Sequence, residues 1–281
     1  MTAPYLNRGS LPRSALRFFP MLTDERLHPT AWTIPAILDN PTIPWVRALG
    51  ELYANPISFP SSMSPEAGLL LHSLVRNIRP RTVVEIGTFV GVSTIWMAAA
   101  LEDASRDPGR APVAAGEREG IIHCFDLFRT IQKDTWRETE LSGDVMAFVR
   151  GNLERAGLLH RVEFHPGFSA KELANCRDLL RGPNADPAAP PQKRPGGVDF
   201  ALVDGDHTVK GVLADLAALE PVLNPGGYIL LHDTFPEQCG DHFGPRHALD
   251  HLSSTLGGLY ESCELYTAPL NYGMALLRRI G

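Results

Sequence analysis

The stretch Val83-Val84-Glu85-Ile86-Gly87-Thr88-Phe89-Val90-Gly91-Val92-Ser93-Thr94 limits what this chain can fold into more than any other. A β-rich run, Thr82 to Ile86, ends in glycine, a second glycine follows four residues later, and Ser93 to Leu101 then reads as a helix. Strand, glycine turn, helix is the opening unit of a doubly wound α/β sheet, in which ligands sit beyond the carboxyl ends of the strands. Gly87 permits the sharp turn. Gly91 permits a close pass to a ligand or to the strand.

The spacing narrows the ligand. A dinucleotide site needs G-x-G-x-x-G, so that the pyrophosphate meets bare backbone at a helix N-terminus. Here the order is G-x-x-x-G, with Thr88, Phe89 and Val90 between the glycines, and Glu85 just before the turn would repel a phosphate. A carboxylate there suits a cation. S-adenosylmethionine carries a sulfonium and an ammonium and no phosphate. The segment VVEIGTFVGVSTIWMA resembles the first motif of class I S-adenosylmethionine-dependent methyltransferases. It is most like the catechol and caffeoyl-CoA O-methyltransferases and the bacterial natural-product and sugar O-methyltransferases. The resemblance implies a Rossmann-like, mostly parallel seven-stranded sheet with helices on both faces and a closing antiparallel C-terminal hairpin. It also implies cofactor contacts from Glu85, Gly87, Thr88, Phe89, Gly91 and Ser93.

Composition sets the outer bounds. The 281 residues are 44% apolar and 21% charged, which is ordinary for a soluble globular chain. The net charge of -6 argues against a nucleic-acid partner, which rewards a basic face. No apolar run approaches the ~20 residues of a membrane helix. The N-terminus holds no signal-like apolar run, and the four cysteines are scattered without a C-x-x-C. The expectation is free thiols in a cytoplasmic protein.

Met1–Ser62 is rich in proline and aromatic residues and reads as an arm, either packed on the main domain or serving as a lid or dimer contact; Ala31–Leu38 and Pro44–Ala54 are its candidate helices. Residues 63–281 form the main domain. Ser64-Pro65-Glu66 is a helix start, with a Ser cap, Pro in the first turn and then an acid. The resemblance places Met63 and Ser64 over the methionine end of the cofactor. The next strand, Ile121–Phe125, ends in Asp126, 39 residues beyond Gly87, or 21 once Asp103–Gly120 is set aside as a surface insertion. That matches the spacing of an acid that accepts from ribose hydroxyls. A helix over Asp144–Ala156 stops at Gly157, and a strand at Val162–His165 leads to Gly167-Phe168-Ser169. The resemblance sets the adenine beside this loop, which makes Phe168 and Ser169 candidates. Gly182–Gly197, with five prolines, is a second insertion.

VDFALVDGDHTVKGVLADLAALEPVLNPGGYILLHDT is a second βαβ unit that resembles the corresponding half of the same family. Its strands Asp199–Val203 and Tyr228–Leu231 end in Asp204-Gly205-Asp206-His207 and His232-Asp233-Thr234; Val212, Leu213, Leu216, Leu219 and Leu223 mark the helix, and Asn224–Gly227 a turn. Pro236–Pro245 reads as a loop, His247–Leu256 as a helix, and Tyr260–Tyr266 with Tyr272–Leu277 as a strand pair joined through Pro269 and Asn271.

Methyl transfer requires a nucleophile aligned with the sulfonium methyl and relieved of its proton. A divalent metal or a general base can do the latter. Asp204 and Asp233, on neighbouring strand ends, suit Mg²⁺ or another divalent cation. In the catechol-type enzymes the ligands are an aspartate after the fourth strand and an Asp-Asn pair after the fifth. Asp204 matches the first, and Asp233-Thr234 the pair with Thr in place of the amide. Against the Asp-Asp pair of the sugar enzymes, His232-Asp233 aligns instead, with His for the first Asp. His207 stands where the catechol-type family has a lysine thought to be the base, and an ordinary histidine pKa near 6.5 would let it accept a proton at neutral pH. Asp206, matching an acid of the sugar enzymes, and His232 are the alternatives. The expected activity is methylation of a hydroxyl on a small metabolite (phenol, catechol or sugar), with a homodimer by family analogy. A nicotinamide oxidoreductase and a non-catalytic binding protein are the competing readings.

Overall fold

The computed structural model describes residues 32, 34–107, 120–133, 139–181, 196–235, 243–255, 258–265 and 272–280. Ahead of the sheet come a 3₁₀ turn, Ala36–Leu38, then α1 (Pro44–Ala54) and α2 (Pro65–Ile78). The alternating body follows as β1 (Thr82–Ile86), α3 (Val92–Ser105), β2 (Ile121–Asp126), α4 (Val145–Ala156), β3 (Val162–Pro166), α5 (Ser169–Asn175), α6 (Arg177–Arg181), β4 (Val198–Val203), α7 (Val209–Leu219) and β5 (Leu223–His232). The chain closes with α8 (Gly244–Thr255), β6 (Tyr260–Leu265) and β7 (Met274–Arg279). The sheet order is β3-β2-β1-β4-β5-β7-β6. The first five of these strands are parallel, and β7 runs antiparallel to both β5 and β6. This is the expected doubly wound sheet of seven strands with its C-terminal hairpin.

Local chemistry sets the helix ends. Ser64 Oγ accepts from Ala67 N with Pro65 in the first turn of α2; Asp144 caps α4 and Thr208 caps α7 in the same way. Gly157 ends α4 in a left-handed conformation. The central strands are apolar on both faces, as parallel strands covered on both sides must be. Val83, Cys124, Phe200 and Leu230 face one core, with helices α1 to α4; Val84, Phe125, Ala201 and Ile229 face the other, with α5 to α8. Helix α3 is buried nearly all round. Tyr53 of α1 accepts from Trp96 Nε1 at 2.8 Å, so α1 shares this core.

The elements depart from expectation in a few places. Residues 103–105 continue α3, so the first insertion begins later than Asp103; residues 108–119 and 182–195 lie outside the described residues. Leu223 belongs to β5, not α7, and Asn224–Gly227 lies within β5 instead of preceding it. Val198 pairs with Leu223 and Phe200 with Tyr228, so the Asn-Pro-Gly-Gly run is a bulge inside β5. Helix α8 begins at Gly244, earlier than His247. The loop at 236–242 and the link through Pro269 and Asn271 lie outside the described residues.

Candidate active site

The strand order reverses between β1 and β4, and the site is built at that switch point, on the carboxyl ends of the strands. Gly87 has φ +88°, and a Cβ there would run into the Asp204 carbonyl, so only glycine lets the two strand tips lie side by side. Phe89 is also left-handed, at φ +51°, an uncommon state for a bulky residue. The turn is held by Asp126: its Oδ2 accepts from Thr88 N at 2.7 Å and Phe89 N at 3.0 Å, and its Oδ1 from Phe128 N at 2.7 Å. The residue expected to meet a ribose therefore also fixes the glycine turn.

A cavity of about 710 Å³ opens above these tips. Met63, Gly87, Thr88, Phe89, Ser93 and Asp126 line it, as do Phe168, Ser169, Asp204, Asp206, His207, His232 and Asp233. Four expected contacts are absent from its wall. Glu85 is fully buried beneath the turn, where its carboxylate accepts from Ser93 and Thr94 at 2.6 Å each and from Thr88 at 3.3 Å and Cys124 at 3.1 Å. Burial raises its pKa above the ordinary glutamate value against the pull of these four donors. It braces the start of α3 from beneath the cavity. Gly91 packs against Val149 of α4. Thr234 is fully buried, with its backbone N–H bonded to Gly273 O, and is not on the wall. Ser64 caps α2.

Four ionisable groups meet at the tips of β4 and β5. His207 Nε2 lies 2.9 Å from Asp233 Oδ2 and 3.4 Å from Asp204 Oδ1; His232 Nδ1 lies 2.9 Å from Asp233 Oδ1 and 3.3 Å from Asp204 Oδ1. Burial alone would lower the His207 pKa, but bonds and charge from Asp204 and Asp233 hold it up at about 10. His232 is likewise raised far above its ordinary value by the two carboxylates. Burial works against the charge of Asp204 and Asp233, and the facing imidazoles hold both below the usual carboxylate range. As built, the quartet is two carboxylates balanced by two imidazolium rings. For His207, expected to be a base with an ordinary pKa, the two facing acids favour the protonated ring while no cation offsets their charge.

The donor set suits a cation. Oxygens of Asp204 and Asp233 and a nitrogen of His232 lie within 4.8 Å of one another. Buried His232 Nδ1 is within ion-pair distance of both carboxylates but makes no well-angled hydrogen bond among the described residues. Such spacing is compatible with donors shared around one ion. Asp233 itself sits at φ +57°, a left-handed state that aspartate adopts more readily than most residues. Asp206 Oδ1 accepts from Thr208 N at 2.9 Å and so shapes the entry to α7 as well as lining the cavity.

Sequence reasoning missed Asp215. It is 2% exposed, accepts from Ser169 Oγ at 2.6 Å, lines the cavity, and burial pushes its pKa up to about 6. The signal was present: an acid among Val212, Leu216 and Leu219 on the apolar face of α7. Arg129, whose guanidinium lies 5.6 Å from the ring centre of exposed Phe168, was also missed.

A family model described as "Methyltransferase domain" matches residues 84–234, from within β1 to just past β5. The chain belongs to this methyltransferase-domain family. Among curated proteins, y4gI of Sinorhizobium fredii is 30% identical over 190 residues, 66% of this chain and 17% of that protein. The rhamnosyl O-methyltransferase of Mycobacterium leprae is 32% identical over 93 residues, 30% of this chain and 40% of that protein. The match to each relative thus spans less than half of the relative's length. Among solved structures, the O-methyltransferase TomG of Streptomyces achromogenes, in complex with S-adenosylmethionine and involved in tomaymycin synthesis, superposes with a TM-score of 0.55 at 19% identity over 95% of this chain and 96% of that one. An O-methyltransferase of Bacillus cereus in complex with S-adenosylhomocysteine gives 0.57 at 17% identity over 95% and 97%. At these identities the likeness is one of fold.

Proposed function

We propose that this methyltransferase-family protein moves a methyl group from S-adenosylmethionine to a hydroxyl of a small metabolite. One observation carries the reading: the Gly87–Asp126 turn and the Asp204–His207–His232–Asp233 quartet open into a single cavity. In this reading Asp126 accepts from the ribose, Phe168 and Ser169 flank the adenine, and Met63 covers the methionine end. The acceptor enters over β4 and β5. Pro60, Ser61 and Ser62 on the wall favour an arm, residues 1–62, that helps close the site.

Asp204, Asp233 and His232 would hold a divalent cation, Mg²⁺ or, given the imidazole, a softer ion such as Mn²⁺. Such an ion, when bound, lowers the pKa of a coordinated hydroxyl. His207 is a proton acceptor only once the charges of Asp204 and Asp233 are compensated by something other than its own proton. Asp206, exposed on the cavity wall, is the alternative base. The name of the Mycobacterium leprae relative favours a sugar hydroxyl among the acceptor classes.

Isotope transfer tests this directly. Label from methyl-labelled S-adenosylmethionine should appear on a phenol, catechol or sugar acceptor, and added Mn²⁺ or Mg²⁺ should accelerate it. A chain that binds the donor but transfers label to no hydroxyl would be a binding protein. One that prefers a nicotinamide dinucleotide would be an oxidoreductase.

A further inference from the structure

A second cluster of metal-ligating side chains lies away from the cavity, where β2 pairs with the edge strand β3. His123, Glu163 and His165 bring one donor atom each to within 4.8 Å of one another. The parallel register sets His123 beside Glu163, and His165 follows two residues later on the same face of the sheet. His123 Nδ1 lies 3.1 Å from His165 Nε2 and 3.4 Å from Glu163 Oε2. One ring nitrogen carries at most one proton, which cannot serve both neighbours well. A cation can serve all three.

The two distances from His123 fit such an ion. Nitrogen and oxygen ligands about 2.0–2.1 Å from a tetrahedral zinc lie roughly 3.3 Å from one another. The rings are also held in place. His123 is 2% exposed. The His165 ring stacks on Phe125 with centroids 4.5 Å apart and planes 14° apart. Its other nitrogen, Nδ1, lies 3.4 Å from Cys176 Sγ at the end of α5.

We infer that His123, Glu163 and His165 form a second cation site, of the two-histidine, one-carboxylate type that takes Zn²⁺, separate from the methyl-transfer cavity. Two strands supply the ligands, so the ion clamps the sheet's edge strand to its neighbour. Gly167 and Phe168, next along the chain from β3, line the cavity, so the clamp steadies one wall of it. The fourth position is left to water or a solute on the Glu163 side, where that side chain is 43% exposed. The inference does not rest on the proposed activity, because occupancy of this site is read without turnover.

The test uses the untagged full chain, stripped with chelator and titrated with Zn²⁺ by calorimetry, together with anomalous scattering at the zinc edge from a soaked crystal. The expected map has a peak between the three donor atoms. Glu163→Gln, at a half-exposed position, and His165→Gln should each weaken the corresponding binding step at least tenfold, while Asp233→Asn leaves it in place. A peak only at Asp204, His232 and Asp233, no peak at all, or unchanged affinity in Glu163→Gln and His165→Gln would overturn the assignment.

Discussion

Replacing Asp126 separates its role in holding the glycine turn from the role proposed for it at the ribose. Its carboxylate accepts three backbone N–H bonds, from Thr88, Phe89 and Phe128. An ionised carboxylate has about four acceptor sites, so one remains for a donor from the ligand. A hydrogen bond to a charged group contributes about 1.5–3 kcal/mol, and each ~1.4 kcal/mol is tenfold in affinity. Asp126→Ala should therefore weaken S-adenosylmethionine binding by about ten- to a hundredfold from the ribose bond alone. Loosening of the Phe89 turn adds to that loss. Asp126→Asn keeps the size but offers one acceptor oxygen, so either the Thr88–Phe89 pair or Phe128 faces an NH₂ group. Its affinity should fall between wild type and alanine. Calorimetry of all three proteins with S-adenosylmethionine is the assay. Equal affinities would refute the ribose assignment, and an asparagine variant weaker than alanine would refute the account of the turn.

The quartet and its neighbours give the other expectations. Asp204→Asn and Asp233→Asn should each remove metal-stimulated turnover, a loss on the order of a hundredfold or more if the ion supplies several kcal/mol; wild-type turnover untouched by chelator would sink the metal reading. His207→Gln should lower turnover by about 10²–10⁴-fold while leaving donor affinity in place; full turnover would remove His207 as base. In the metal-free protein, the raised histidine pKa contributes stability that is complete below about 6.5 and lost as pH rises to about 10. Melting temperature should fall across that window, and less steeply in His207→Gln. Asp215 has the opposite origin: an acid raised from 3.8 to about 6 by burial, so the native state keeps its proton longer than the unfolded chain. Wild-type stability should fall as pH rises from about 4 to 6, and Asp215→Asn should be more stable at pH 7 by at most about 3 kcal/mol. Parallel urea titrations at pH 4 and pH 7 would expose an absent pH effect.

The sequence made the framework legible because its signals are local. Gly87 follows an apolar strand, Ser64-Pro65 opens a helix, and the two βαβ units put Asp126, Asp204 and Asp233 on one edge of the sheet. What it hid depends on the third dimension. Glu85 lies among Val83, Val84 and Ile86 in a strand covered on both faces, so no polar–apolar alternation reports which way its carboxylate turns. Asn224–Gly227 has every mark of a free turn, yet pairing with β4 resumes across it and makes it a bulge. The charge of His207 could not be read from Asp204 alone, because it also depends on Asp233, which the β4–β5 pairing brings to 2.9 Å. Likewise, nothing near His123 in the chain marks Glu163 and His165 as its neighbours; the β2–β3 register does that. Asp215 was a missed reading, not a hidden one, since an acid on an apolar helical face was already in view.

A crystal grown with S-adenosylhomocysteine addresses the central claim most directly. The account predicts density in the cavity with ribose hydroxyls on Asp126, the adenine beside Phe168 and Ser169, and the sulphur above Gly87, facing the Asp204–His207 side. An empty cavity at saturating ligand, or the ligand bound elsewhere on the protein, would contradict it.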